Sequence, residues 1–411
     1  MNRAFDIVIL GLSITSSWGN GHATTYRSLV RGLRDRGHAV LFLERDVPWY
    51  SENRDIPAPP GAQTELYRDL EDLIARFESA VRDAKLVIVG SFVPEGVSVG
   101  EWVVSTAHGR TAFYDIDTPI TLGKLAADDD EYISRALIRK YNAYFSFTGG
   151  PTLQIIERKY GSPMARELYC SVDPTSHYPV HCPSQWDLGY LGTYSEDRQP
   201  MLNTLLLEPA KEWDDGRFAV AGPMYPDSIV WPNNVSRIVH LSPQEHPSFY
   251  GAQRFTLNLT RTAMRQAGYS PSVRLFEAAA CGVPIISDWW SGLDEIFEIG
   301  EELLVGSDPE DVLRLLWDLP TSERLRIGNA GLQRVLAEHT SERRACQLDH
   351  YLKELNDNLS PYTPRRNRLD GQDTGGMGRG IALERAGTAA SEKVRSTVVE
   401  HADSSGLYEP D

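Results

Sequence analysis

Residues Gly268 to Leu304 read GYSPSVRLFEAAACGVPIISDWWSGLDEIFEIGEELL. Ser270, Pro271 and Ser272 predict the entry of a helix with Ser272 at the N-cap, and Cys281-Gly282 predicts its end. Unbonded N–H groups and the positive end of the helix dipole at such a start suit a phosphate. Glu277 lies about one and a half turns further on, where its carboxylate can accept hydrogen bonds from ribose hydroxyls. Ala278, Ala279, Ala280 and Gly282 are small, as a helix packed closely on a sheet requires, and Pro284–Ser287 is the strand that follows. A helix feeding a short apolar strand is half of a βα repeat.

The same rhythm continues outward. Before this segment, strands are predicted at Asp187–Leu191, Arg217–Ala221, Arg237–Leu241 and Phe255–Leu259, with helices after Pro200 and around Pro247–Gln253. The first half predicts strands at Phe5–Leu10, Ala39–Leu43, Leu86–Gly90, Thr111–Asp115 and Ala143–Phe147. Its helices fall at Thr24–Arg36, Gln63–Asp83, Val99–Ala107 and Thr152–Tyr160. Such alternation gives parallel sheets covered on both faces. Between the halves, Cys170–Pro183 carries Pro174, Pro179 and Pro183 without periodicity and reads as a linker. The expected class is α/β, with two doubly wound Rossmann-like domains over 1–177 and 178–338. Residues 356–411, rich in Gly, Ser, Arg and Asp, read as a disordered tail.

Composition narrows the function. With 57 Asp+Glu against 41 Lys+Arg, the formal charge is -16, which argues against a nucleic-acid or anionic-membrane partner, since both need clustered cations. The apolar run Ile7–Leu12 is short and follows Asp6, so it reads as a buried strand rather than a signal peptide. No stretch approaches the roughly 20 apolar residues of a membrane span, and a cytoplasmic location is expected. Cys170, Cys182, Cys281 and Cys346 show no CxxC spacing, so reduced, buried thiols are expected and a zinc site is not.

The Gly268–Leu304 stretch resembles the donor-binding segment of glycosyltransferase family 4 and, more closely, of the CgeB-like (spore-maturation type) glycosyltransferases. The resemblance implies a GT-B fold, its two domains facing a cleft, with Glu277 on the nucleotide ribose and Ser272, Val273 and Arg274 at the diphosphate. It also implies a last helix, over 339–355, that returns to the first domain. Further pieces follow in order: CSVD (Cys170–Asp173) is similar to the hinge motif and YLGTYSEDR (Tyr190–Arg198) to the first strand and loop of the second domain. There Gly192 starts the loop, and Arg198, six residues on, is the expected phosphate cation. AGPMYP (Ala221–Pro226), with Gly222, is similar to the loop near the base, and NLTR (Asn258–Arg261) to the loop facing the diphosphate. Arg198, Arg261 and Arg274 are the expected diphosphate ligands, because a guanidinium fork fits phosphate oxygens; Arg254 is left out. One departure stands at Tyr269, where family 4 usually carries a second Glu eight residues before the helix Glu.

In the first half, GNGHA (Gly19–Ala23) resembles the acceptor-side turn of the peptidoglycan N-acetylglucosaminyltransferases. Gly19 and Gly21 would let the backbone approach a ligand, and His22 could take a proton from an acceptor hydroxyl. FYDIDTPIT (Phe113–Thr121) places Asp115 and Asp117 at the carboxyl end of a strand, where open α/β sheets bind ligands. Either could be the general base or could orient His22; the same letters spell a metal-binding Asp-x-Asp, and Asp117 would also serve as a helix cap. The function expected is transfer of a sugar from a nucleotide-diphospho-sugar to an acceptor hydroxyl or amine, with no cofactor and no required divalent metal. The alternatives are a nucleotide-sugar 2-epimerase of the same fold and a catalytically degenerate scaffold or surface protein. Trp289 and Trp290 suit either a sugar-stacking surface or the core.

Overall fold

The computed structural model describes residues 4–18 and 21–357. The first sheet is built from β1 (Ile7–Gly11), β2 (Val40–Arg45), β3 (Gln63–Tyr67), β4 (Leu86–Gly90), β5 (Arg110–Asp115), β6 (Ala143–Ser146) and β7 (Ala165–Glu167). Its order is β3-β2-β1-β4-β5-β6-β7, and every pairing is parallel. The second sheet contains β8 (Trp186–Leu191), β9 (Phe218–Ala221), β10 (Val235–Ile238), β11 (Gln253–Asn258), β12 (Ile285–Ser287) and β13 (Leu304–Val305). Its order, β10-β9-β8-β11-β12-β13, is parallel too. Each order reverses direction once, beside β1 in the first sheet and beside β8 in the second. Those reversals open crevices at the carboxyl ends of the strands, where ligands bind.

The helices that position the site are α1 (His22–Asp35), α2 (Leu70–Asp83), α3 (Gly96–Thr106), α4 (Thr118–Ala126), α5 (His246–Gly251), α6 (Thr262–Ala267), α7 (Val273–Ala280), α8 (Thr321–Glu338) and α9 (Ser341–Asp357). The central strands are buried on both faces, which is why Leu86–Gly90 reads as an uninterrupted apolar run. The stretch expected as one helix over Gln63–Asp83 divides in two. Its first five residues form β3, at the edge of the sheet, and Asp69 then caps α2 by accepting the Asp72 N–H at 2.8 Å. The strand expected at Arg237–Leu241 lies earlier, at Val235–Ile238, and the Thr152–Tyr160 helix ends in a π-helical turn over Ile156–Tyr160. The acidic run Asp128–Glu131 follows the end of α4, where Lys124 pairs with Asp129 and Glu131.

The chain crosses between the sheets twice. The crossings touch at a parallel bridge of Val172 with Thr340, where the Val172 N–H donates to the His339 carbonyl (3.0 Å) and the Ser341 N–H to the Val172 carbonyl (2.9 Å). After the second crossing, α9 packs on α1. Gly32 permits the approach: a Cβ there would sit 2.1 Å from the Ser341 carbonyl oxygen. Ala345, Leu348, Tyr351 and Leu355 enter the core that also holds Ile7, Ile9, Leu29 and Phe42. Asn356 and Asp357, the first residues of the expected tail, are the last of α9, and 358–411 lie outside the described residues. No described helix is long and apolar enough to cross a membrane. Cys170 and Cys281 are buried, but Cys182 is half-buried and Cys346 exposed, so the expectation of four buried thiols holds for two.

Candidate functional site

The carboxyl edges of the two sheets face one another. The Gly149 N–H, after β6, donates to the Tyr269 carbonyl at 2.9 Å, and the Thr148 and Ser270 hydroxyls are 2.7 Å apart. Trp18, after β1, packs on His240, after β10, with ring centroids 4.8 Å apart. Helices α4 and α6 touch across the same gap. A cavity of about 210 Å³ opens beside Trp18 and His240, walled by Asp55 and Ser242 among others.

On the first-domain side, His22 opens α1 and is buried. Its Nε2 lies 2.7 Å from Asp117 Oδ2, and its Nδ1 has no hydrogen-bond partner among the described residues. Asp117 stands at the N-cap of α4 but makes no capping bond; its carboxylate is committed to His22. Phe92 meets the imidazole edge-on, with centroids 5.9 Å apart. The loop leading to His22 is anchored by the fully buried Glu44, which accepts from the Ile14 and Thr15 N–H groups (2.6 and 3.0 Å) and the Thr15 hydroxyl (2.6 Å). Gly21 stands at the N-cap of α1, whereas Gly19 lies outside the described residues.

Asp115 does not fit the expectation of an accessible base. It is fully enclosed, hydrogen-bonded by the Tyr144 and Thr121 hydroxyls and the Asp117 N–H. Burial pushes its carboxyl up to about 6, against the lowering effect of those bonds. Nor do Asp115 and Asp117 converge as a metal-binding pair, since each carboxylate faces a different partner.

On the second-domain side, Arg198, Arg261 and Arg274 gather at the carboxyl ends of β8 and β11. Among the described residues none of the three forms an ion pair. Arg198 donates from Nη2 to the Thr193 carbonyl at 2.7 Å, while its Nε is buried with no partner. Desolvation, and then the fields of Arg274 and Arg261, hold the Arg198 guanidinium below its ordinary pKa, opposed by Tyr190. Arg274 lies over the Tyr190 ring at 5.4 Å. Asp197, within the fields of Arg261 and Arg198, accepts from the Ser195 hydroxyl and the Thr262 N–H, which directs it to the start of α6. Arg254, left out of the site, pairs with Asp187 at 2.9 Å.

The loops under these arginines are tied together. Ser272 holds the N-cap position of α7 without capping it, because its hydroxyl donates to Asn258 Oδ1 at 2.8 Å. Val273, the first residue of α7, is half-buried beside it. Asp288 accepts from the Thr260 N–H and hydroxyl, and burial pushes its carboxyl up to about 6. Gly222 has φ +138, and a Cβ there would sit 2.1 Å from the Gly192 carbonyl oxygen, so only glycine lets these two loops touch. Trp290 is buried in the core and Trp289 is exposed. Tyr269, in place of the second Glu, donates its hydroxyl to Glu295 at 2.9 Å.

Glu277 is 3% exposed, and burial holds its carboxyl above the usual range against the fields of His246 and Arg274. His177, from the linker, is 5% exposed and its pKa is lowered by burial to about 4; burial also lowers that of the half-buried His246. Neither histidine stands out in the sequence, because 100 and 31 residues separate them from Glu277. Only the fold brings the three together.

Residues 198–350 match the family model described as glycosyl transferase-like. A search of curated protein sequences returned no match. Among solved structures, sucrose-phosphate synthase from Thermosynechococcus elongatus aligns with a TM-score of 0.60 at 15% identity, over 86% of this chain and 100% of that one. HepE of Anabaena, solved with UDP and glucose, aligns at 0.61 and 12%, over 85% and 100%. An alpha-glucosyltransferase in complex with UDP-glucose and DNA containing an abasic site aligns at 0.64 and 11%, over 85% and 100%. The structural likenesses give the fold along the chain, and the family model covers most of the second domain. The chain has the GT-B fold, and its residues 198–350 are similar to the glycosyl transferase-like family.

Proposed function

We propose that the protein transfers a sugar from a nucleoside-diphosphate donor, held by the second domain, to a hydroxyl or amine of an acceptor held against the first. The observation that carries this reading is the trio Arg198, Arg261 and Arg274. Unpaired cations at a sheet crevice of a protein with charge -16 are costly unless a ligand brings compensating negative charge. A diphosphate does so, and the start of α7 adds its N–H groups and dipole. Gly192 and Gly222 line the same edge, and Glu277 holds the ribose. The UDP or UDP-glucose in two of the similar structures supports such a donor, and the Gly268–Leu304 segment supports the CgeB-like type.

In the transfer, the acceptor oxygen or nitrogen attacks the anomeric carbon as its bond to the diphosphate oxygen breaks. His22, oriented by Asp117, takes the acceptor proton, and the arginines stabilise the charge that grows on the leaving diphosphate. The acidic surface argues for an acceptor other than a nucleic acid. The four thiols, none paired with another among the described residues, suit the cytoplasm. The test is calorimetric titration with UDP, GDP, dTDP and ADP, with and without magnesium, alongside Glu277→Ala. Selective binding of one nucleotide, at least tenfold weaker in the variant, is expected. Absence of binding by all four overturns the donor reading, and undiminished binding by the variant overturns the ribose assignment.

A further inference from the structure

His177, His246 and Glu277 come from the linker, the start of α5 and the second turn of α7, and present one ligand atom each within 4.8 Å of one another. His177 Nε2 lies 3.8 Å from Glu277 Oε1, too far for a hydrogen bond. Among the described residues, His177 Nε2 and His246 Nδ1 are both buried without a partner. Two imidazole nitrogens and a carboxylate oxygen thus face each other in the interior without hydrogen-bond partners for the nitrogens, an arrangement that suits a positively charged occupant.

We propose that this cluster is a binding site for a divalent transition-metal ion of the zinc type, with His177 Nε2, His246 Nδ1 and one oxygen of Glu277 as its protein ligands. A triangle with no side above 4.8 Å contains a point within roughly 2.8 Å of every corner, so shifts of under about 1 Å bring all three to zinc–ligand distances. Two imidazoles with one carboxylate select zinc, cobalt or nickel over magnesium or calcium, whose shells are oxygen. The ion would tie the linker and α5 to α7 on the second-domain side of the hinge. One-oxygen ligation leaves the other oxygen of Glu277 for the ribose, and the histidines belong to this site alone.

The test is metal analysis of the full chain after dialysis against zinc, with calorimetric zinc titration of the wild type, His177→Ala and His246→Ala. One zinc per chain is expected, with affinity at least 100-fold weaker in each variant and a zinc-induced rise in melting temperature seen only in the wild type. His177→Cys guards against misfolding of the alanine forms: it keeps a metal ligand, and bound cobalt should gain a thiolate charge-transfer band. Absence of stoichiometric zinc in the wild type overturns the proposal, as does undiminished binding by both alanine variants or a cobalt-loaded His177→Cys protein without that band. Nucleotide titration of metal-free wild type reports on the donor reading separately.

Discussion

Replacing Arg198 by Met separates a ligand-binding cation from a structural one. The substitution keeps the apolar stem and removes the charge. It forfeits the bond from Nη2 to the Thr193 carbonyl, a loss of about 1 kcal/mol. Against that, it relieves the repulsion from Arg261 and Arg274 that lowers the Arg198 pKa. Screened by water in the open crevice, the two repulsions together amount to roughly 1–2 kcal/mol. The two effects oppose each other, so stability should change by no more than about 1 kcal/mol, a shift in melting temperature of a few degrees. Diphosphate binding should suffer far more. Hydrogen bonds between charged groups contribute about 1.5–3 kcal/mol, so affinity for the best-binding nucleoside diphosphate should fall roughly 10–150-fold. Arg254→Met is the converse control: its partner Asp187 is buried, so it should lower the melting temperature and leave the affinity alone. Calorimetric titration and thermal melts in one buffer measure both quantities. A strongly destabilised Arg198→Met protein that still bound nucleotide at wild-type affinity would falsify the argument.

His22→Ala and Asp117→Asn should each lower kcat by roughly 10²–10⁴-fold with the donor Kd unchanged, since both act on the acceptor proton; steady-state kinetics with nucleotide titration decides, and a matching fall in donor affinity counts against the role. Asp115→Asn should alter how stability depends on pH. Burial holds the folded carboxyl near pH 6, about two pH units above its unfolded value, so ionised Asp115 weighs against folding at neutral pH. That cost is relieved as pH falls from about 6 to about 4, by up to roughly 3 kcal/mol. Wild type minus variant stability, from denaturant unfolding across that range, should show this slope, and parallel curves would refute it. Gly32→Val should lower the melting temperature by several degrees, because its Cβ meets the Ser341 carbonyl 2.1 Å away; an unchanged melt would mean that α1 and α9 separate easily.

What the sequence revealed and what it hid have physical causes. The continuous apolar strands were legible because parallel sheets buried on both faces demand them, as at Leu86–Gly90. So was the entry to α7, set by Pro271 and Ser272. Strand β3 was hidden because it is an edge strand, with four of its five residues at least partly exposed, and its polar letters run into the helical pattern of α2. At the site, spacing along the chain suggested His22, Asp117 and the arginines as candidates. It could not show that Asp115 is walled in by Tyr144 and Thr121, since enclosure depends on β6 lying beside β5. His177 and His246 were invisible for the same reason: each is an ordinary linker or helix-start residue until α7 is laid between them.

The return of α9 to the first domain bears on how the protein is made. The groove that Ala345, Leu348, Tyr351 and Leu355 fill is complete in outline once β7 has left the ribosome, yet the helix that closes it is encoded some 170 residues later. At about 5–20 residues per second, the nascent first domain waits roughly 10–35 s with an apolar trough open to the cell. During that interval it is a natural client for a chaperone, and a ribosome that stalls before codon 341 releases a chain with that surface uncovered.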